Sequence, residues 1–175
     1  MIEASIPIQL VVTDRECTAE TIATRNNIAL VRVERNSYGK DFDRDTYTCE
    51  VRDALINHEI DLIAMAGFGT ILNKPIYDDF SNRILNTHPS LLPSFPGWHA
   101  VEEALEYGVK VTGCTVHIAT EEVDAGPILA QESIPVLKDD TKETLHERIK
   151  KVERQLYVDT LNKIIATNGQ IERDQ

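Results

Sequence analysis

The sequence predicts an α/β domain with a mostly parallel sheet, and three observations support this fold class. Short apolar segments that are typical of strands alternate with segments whose apolar residues recur at helical spacing. One of the apolar segments, residues 61–67 (DLIAMAG), shows no polar alternation, as expected for a strand that is covered on both faces. The chain has 175 residues, enough for one domain with a substantial core.

Each element in the first half of the chain has its own signal. We predict strands at residues 6–12 (IPIQLVV), 28–33 (IALVRV) and 61–67, because these runs are apolar and end at turn-prone residues. We predict helices at residues 18–26, 45–58 and 76–80. The second has apolar residues at near-helical spacing, and Pro75 is suited to the start of the third.

The second half continues the alternation. We predict a strand at residues 83–86, a helix at 101–107 that Gly108 ends, and two β-rich segments at 112–120 and 126–136. The last predicted helix covers residues 141–165. Thr141 is a suitable N-cap for it, and its apolar stripe consists of Leu145, Ile149, Val152, Leu156 and Leu161.

Composition narrows the class of protein. The net charge of −11 argues against nucleic-acid binding, and 42% hydrophobic residues argue against disorder. The three cysteines, Cys17, Cys49 and Cys114, are widely separated, which is compatible with a reducing compartment. Because the sequence has no bilayer-length apolar run and no signal-peptide pattern, we expect a cytoplasmic protein without membrane contact.

The stretch NTHPSLLPSFPGWHA, residues 86–100, follows the predicted strand at 83–86. Its three prolines exclude a helix or a central strand, so we expect a rigid loop that begins near Asn86. Asn86 and His88 are two residues apart and would point to one side, at the strand end where α/β sheets bind ligands. A carboxamide can donate to an oxyanion and an imidazole can move a proton, although such a pair can also be structural.

A carboxylate could complete the site. Asp124 lies in the loop EEVDAGP, where we expect Gly126 to supply φ values that other residues avoid, and its carboxylate could orient an imidazole. His117 lies within a predicted strand, and we expect it to be a hydrogen-bonded scaffold residue that supports the site. We find no nucleophile motif, phosphate-binding GxxxxGK[ST] motif or metal-ligand cluster. The remaining groups suit direct attack of a substrate amine on an activated acyl group.

Three segments carry a family resemblance: AGFGTIL, RILNTHPSLLPSFPG and VTGCTVHIATEEVDAGPILAQ. They closely resemble the phosphoribosylglycinamide formyltransferases, folate-dependent enzymes of purine synthesis, and the likeness runs from about residue 6 to 165. The resemblance implies a Rossmann-like formyltransferase domain that covers residues 1–175 as a single domain. It also implies 10-formyltetrahydrofolate as co-substrate, glycinamide ribonucleotide as acceptor, and no metal.

By the same resemblance, Asn86 and protonated His88 stabilise the oxyanion, while Asp124 keeps His88 charged and assists a proton shuttle through water. Lys150 and Glu153 match positions that contact the phosphate and ribose region of the ribonucleotide. The family often has a bulky residue and an arginine where this chain has Gly69 and Thr70, which would loosen the pocket. The implied folate pocket consists of Phe68, Gly69, Thr70, Ile71, Leu72, Ala119, Thr120, Glu121, Glu122 and Val123.

The chain departs from the family pattern at its start. The family begins with a strand, a turn of the SGxGSN type and a helix, so we expect this domain to be incomplete at its N-terminus. The expected explanations are a misplaced start or truncation, a complementing partner, or a fragment without the activity. An interior strand's absence would expose sheet edges, through which the chain could self-associate. Two alternatives to the transferase therefore stay open: a non-catalytic folate-binding fragment and a formyltetrahydrofolate hydrolase.

Overall fold

The computed structural model describes residues 1–167 and residue 171. After a short 3₁₀ helix at Ile2–Ala4, the strands are β1 (Leu10–Thr13), β2 (Ala29–Arg32), β3 (Ile63–Ala64), β4 (Ile84–His88), β5 (Val111–Ile118) and β6 (Ile128–Pro135). The helices are α1 (Thr18–Arg25), α2 (Arg44–Asn57), α3 (Lys74–Asp79), α4 (Ala100–Tyr107) and α5 (Lys142–Ala166). None of the helices in this described part is long and apolar enough to cross a membrane.

The chain divides into two compact units, and the first consists of Met1–Ile63 and Gly67–Arg83. Its strands β1 and β2 are parallel and are joined through α1. The carboxylate of Glu20 on α1 accepts hydrogen bonds from Thr13 on β1 (2.7 Å) and from Nε of Arg32 on β2 (2.7 Å). This carboxylate therefore fastens the helix to both strands that it connects.

The second unit consists of Ala64–Ala66 and the chain from Ile84 onward, and it contains the candidate site. The strand order of its sheet is β3-β4-β5-β6, to which β3 contributes Ala64. The β4–β5 and β5–β6 pairs are antiparallel. Helix α5 packs on this sheet through a buried cluster of Val101, Cys114, Ile134, Leu145 and Ile149.

The α/β class is confirmed, and each predicted helix lies within two residues of an observed one. The boundaries of three strands were wrong. Strand β1 begins at Leu10 rather than at residue 6, and β3 is two residues long rather than seven. Strand β4 continues through His88, past the predicted exit near Asn86, because His88 still pairs with Thr115 of β5.

Candidate active site

Pairing between β4 and β5 assembles one face of the site. Asn86 lies opposite His117, and His88 lies opposite Thr115. Since residues directly opposite each other on neighbouring strands share a face of the sheet, these four side chains lie on the same face. Two polar residues of the proline-rich stretch, Asn86 and His88, therefore lie beside two polar residues of β5, His117 and Thr115.

His88 is buried and has an oxygen at each ring nitrogen. Its Nδ1 lies 3.2 Å from Oδ2 of Asp124, and its Nε2 lies 2.7 Å from the carbonyl oxygen of Phe95. A neutral imidazole has one N–H and one lone pair, so either neutral tautomer would point a lone pair at one of these oxygens. The doubly protonated ring can donate to both, which makes this environment complementary to an imidazolium.

The carboxylate of Asp124 lies between two imidazoles. Its side chain is only 7% exposed, and its Oδ2 accepts a hydrogen bond from the backbone N–H of Gly97 (2.8 Å) as well as facing His88. Its Oδ1 lies 3.6 Å from Nε2 of His117. A single carboxylate thus connects the two imidazoles with the proline-rich loop.

His117 is 1% exposed, and its two nitrogens have different surroundings. Nδ1 lies 3.1 Å from the carbonyl oxygen of Ile118, whereas Nε2 has no hydrogen-bond partner among the described residues. Burial lowers the pKa of this ring, and the nearby charge of Asp124 only partly opposes the effect. Burial therefore favours the neutral form of this ring.

In the loop that carries Asp124, the unusual backbone conformation is not at Gly126, where we expected it. Asp124 itself adopts the left-handed backbone conformation, with φ of 56°, whereas Gly126 is not among the residues with positive φ. A Cβ atom at Gly126 would lie 1.8 Å from the carbonyl oxygen of Ile118. The absence of a side chain is therefore required here by the close approach of β5, and the expected backbone reason was wrong.

Side chains from β5 and β6 hold the proline-rich loop in place. The hydroxyl of Thr115 donates to the carbonyl of Ser90 (2.7 Å) and accepts from the N–H of Leu92 (3.1 Å). The carboxamide of Gln131 donates to the carbonyl of Leu92 (2.9 Å). Sequence reasoning missed Thr115 and Gln131, although period-two alternation along β5 would have placed Thr115 on the same face as His117.

Asn86 is half-buried, and no described residue forms a hydrogen bond with its carboxamide. The side chain lies on the same face as His88, two residues earlier on β4. It can therefore offer an N–H donor to a bound molecule without breaking a contact within the protein.

The two predicted folate-binding segments belong to different units. Phe68–Leu72 follows β3 in the first unit, where the buried hydroxyl of Thr70 accepts a hydrogen bond from Nη1 of Arg35 (3.0 Å). The segment 119–123 follows β5 in the second unit, where the N–H of Ala119 donates to the carbonyl of Ile84 (2.8 Å). Their joint contribution to one pocket stays a prediction.

The two predicted substrate-binding residues of α5 have different contacts. Glu153 accepts a hydrogen bond from the hydroxyl of Thr87 on β4 (3.0 Å). Lys150 forms an ion pair with Glu147 of the same helix (3.0 Å). The structure therefore brings Glu153 next to the strand that carries Asn86 and His88.

A carboxamide and an imidazole at the end of β4, with a carboxylate beside the imidazole, are groups that an acyl-transfer reaction can use, and the comparisons point to the same class of reaction. The formyl transferase family model matches residues 3–161, and the chain belongs to this family. Phosphoribosylglycinamide formyltransferase from Mycobacterium tuberculosis is 47% identical over 156 residues, which cover 89% of this chain and 71% of that protein.

Solved structures show the same likeness. Glycinamide ribonucleotide transformylase 1 from Symbiobacterium toebii is similar with a TM-score of 0.88 and 36% identity, over 99% of this chain and 81% of that one. A formyltetrahydrofolate deformylase from Pseudomonas syringae is similar with a TM-score of 0.79 and 27% identity, over 88% of this chain and 50% of that one. The chain is therefore similar to a structure named for ribonucleotide transformylation and to a structure named for deformylation.

Proposed function

We propose that this protein transfers the formyl group of 10-formyltetrahydrofolate to the glycyl amine of glycinamide ribonucleotide, in purine biosynthesis. The observation that carries the proposal is the buried His88–Asp124 pair, with the free carboxamide of Asn86 on the same face. The identity of the chain to relatives that bear the transferase name supports this acceptor.

The proposed reaction needs no protein nucleophile. The glycyl nitrogen attacks the formyl carbon and forms a C–N bond, and the carbonyl oxygen becomes an oxyanion. The Asn86 carboxamide and the Nε2–H of His88 stabilise this oxyanion by hydrogen bonds. For this step, the oxyanion replaces the Phe95 carbonyl as the acceptor for His88.

Collapse of the intermediate breaks the bond between the formyl carbon and N10 of the folate. The proton that the amine loses reaches N10 through a water molecule, and Asp124 assists this transfer while it keeps His88 charged. The products are formylated glycinamide ribonucleotide and tetrahydrofolate. His117 supports the geometry from the other side of the Asp124 carboxylate.

Binding of the two substrates is assigned to separate segments. For the folate we assign contacts, mainly through backbone groups, to Phe68–Leu72 in the first unit and, separately, to the segment 119–123 in the second. Lys150 and Glu153 serve the phosphate and ribose region of the acceptor. The cationic and anionic ends of these two side chains match a phosphate and a pair of hydroxyls, respectively.

The experiment follows a labelled formyl group. The protein is incubated with formyl-labelled 10-formyltetrahydrofolate, with and without glycinamide ribonucleotide, and the products are separated. We expect the label in the formylated ribonucleotide, with little formate released. Formate released at the same rate with and without the acceptor would instead identify a hydrolase, and folate binding without either product would identify a binding fragment.

A further inference from the structure

Glu153 is a half-buried carboxylate with unused acceptor capacity. A carboxylate can accept about four hydrogen bonds, and Glu153 accepts one from Thr87 at its Oε1. Among the described residues, Glu153 forms no ion pair, and Lys150 of the same helix pairs with Glu147. The negative charge of Glu153 also acts on the buried thiol of Cys114. Burial and, after it, this charge raise the pKa of Cys114 to about 11.

Thr87 and Glu153 meet because α5 runs along β4 in register. The hydroxyl of Tyr157 donates to the carbonyl of Leu85 (2.9 Å), and Glu153, one helical turn away, accepts from Thr87, two strand residues further on. Four residues of α5 rise about 6 Å and two residues of β4 advance about 6.6 Å, so successive contacts have nearly the same spacing along the helix and along the strand. The contact therefore lies one residue before β4 ends, at the rim of the sheet.

The position of Thr87 connects this contact with the catalytic groups. Asn86 and His88 flank Thr87 on β4 and point to the opposite face of the sheet. Since β4 ends at His88, a molecule at this rim can touch both faces. An acceptor whose amine lies at His88 can thus extend its sugar toward Glu153.

We propose that Thr87 is a positioning residue for the acceptor substrate, which holds the Glu153 carboxylate in the conformation that accepts the ribose hydroxyls. This inference rests on the proposed function. A free glutamate side chain has several rotamers, and ordering it on binding costs free energy. The hydrogen bond from Thr87 fixes Oε1 in advance and leaves Oε2 for the substrate.

The test is the steady-state kinetics of three variants. Thr87→Val keeps the shape of the side chain and removes the hydroxyl, so we expect KM for glycinamide ribonucleotide to rise roughly three- to tenfold. We expect kcat and KM for 10-formyltetrahydrofolate to stay within about twofold of the parent. Thr87→Ser should restore the parent's KM, and Thr87→Val should add no further increase in a Glu153→Gln background.

A matched control separates positioning from loss of stability. Thr160→Val removes a hydroxyl of α5 that donates to the carbonyl of Leu156 (2.7 Å), and we expect both KM values to stay at the parent's level. An unchanged acceptor KM in Thr87→Val, or an equal rise in Thr160→Val, would overturn the inference. If Thr87→Val does not fold, Thr87→Ser against Thr87→Ala is compared in the same assay. A parent that formylates no acceptor would refute the proposed function itself.

Discussion

The two imidazoles beside the Asp124 carboxylate have different surroundings. His88 has an oxygen at both ring nitrogens and is suited to the charged form, whereas burial lowers the pKa of His117 and keeps that ring neutral. Two histidines on one sheet face thus share a carboxylate neighbour but differ in the hydrogen-bond partners of their ring nitrogens. This difference makes His88 the proton-bearing group of the proposed reaction.

Removing the charge of Asp124 tests whether the proposed reaction needs a carboxylate beside His88. Asp124→Asn keeps the size of the side chain but no longer stabilises a charged His88, so we expect kcat to fall by about 10²–10⁴. Folate affinity should change little. The measurement is kcat together with circular dichroism, and the exposed Asp139→Asn serves as the control. A variant that keeps most of the parent's kcat would contradict the role of the carboxylate.

His117 should make stability sensitive to acid. Because its pKa is lowered in the folded protein, the unfolded chain takes up this proton at a higher pH, near the ordinary value of 6.5. Folding stability is therefore lost as the pH falls through 6.5 toward the folded pKa. We expect the free energy of unfolding to fall less between about pH 7 and about pH 5 in His117→Gln than in the parent.

Denaturant unfolding at the two pH values measures this difference. The exposed His58→Gln variant controls for the loss of an imidazole as such. An identical pH dependence in the parent and in His117→Gln would show that this ring does not titrate differently on folding. Asp124 and His88 face the same ring, so the comparison is made in variants that keep both.

At the scale of elements, the β5–β6 connection positions the Asp124 carboxylate. This loop places Asp124 at a positive φ and brings Gly126 against the backbone of Ile118. Helix α5 begins at Lys142 after the N-cap residue Thr141, whose hydroxyl accepts from the N–H of Thr144 (3.3 Å), and it covers the other face of the sheet. The candidate site therefore lies next to this tight loop, on the face of the sheet opposite α5.

A methyl group at position 126 should disturb this loop. In Gly126→Ala the new Cβ would lie 1.8 Å from the carbonyl oxygen of Ile118, so either the loop or β5 must move. We expect a loss of about 1–3 kcal/mol in the free energy of unfolding and a lower kcat, since Asp124 is displaced. Gly39→Ala is the control, because a Cβ there meets nothing within 4 Å. Equal stability of the two variants would contradict the close approach.

Helices were easier to predict than strands, for a physical reason. Helical periodicity and caps are local, so α4 with Gly108 and α5 with Thr141 could be located from the sequence. Strand length depends on the partner strand, which is why β4 continues through His88 where β5 pairs with it. The contacts of Thr115 and Gln131 with the loop also depend on this register, and no local motif marks them.

At the scale of the whole molecule, two units each contain a sheet and helices, and the described catalytic candidates lie in the second. The motif-bearing residues Asn86, His88 and Asp124 could be named from the sequence because three short segments carry them. The orientation of His88, between Asp124 and the Phe95 carbonyl, required coordinates, because the direction in which that backbone carbonyl points cannot be read from the sequence.

The net charge of −11 sets a condition on substrate binding. A phosphate and a folate tail are both anionic, so the overall field of the protein opposes their approach. Local donors must therefore provide the attraction. Lys150 is the cationic group in the second unit that the proposed mechanism assigns to the phosphate.

The most direct test of the central claim is the single-turnover rate of formyl transfer in Asn86→Ala. Because this variant removes one oxyanion donor and breaks no hydrogen bond within the described protein, we predict a rate lower by about 10²–10³ with unchanged folate affinity. The exposed Asn162→Ala should keep the parent's rate. A rate in Asn86→Ala within about threefold of the parent would contradict the assignment of this face as the catalytic site.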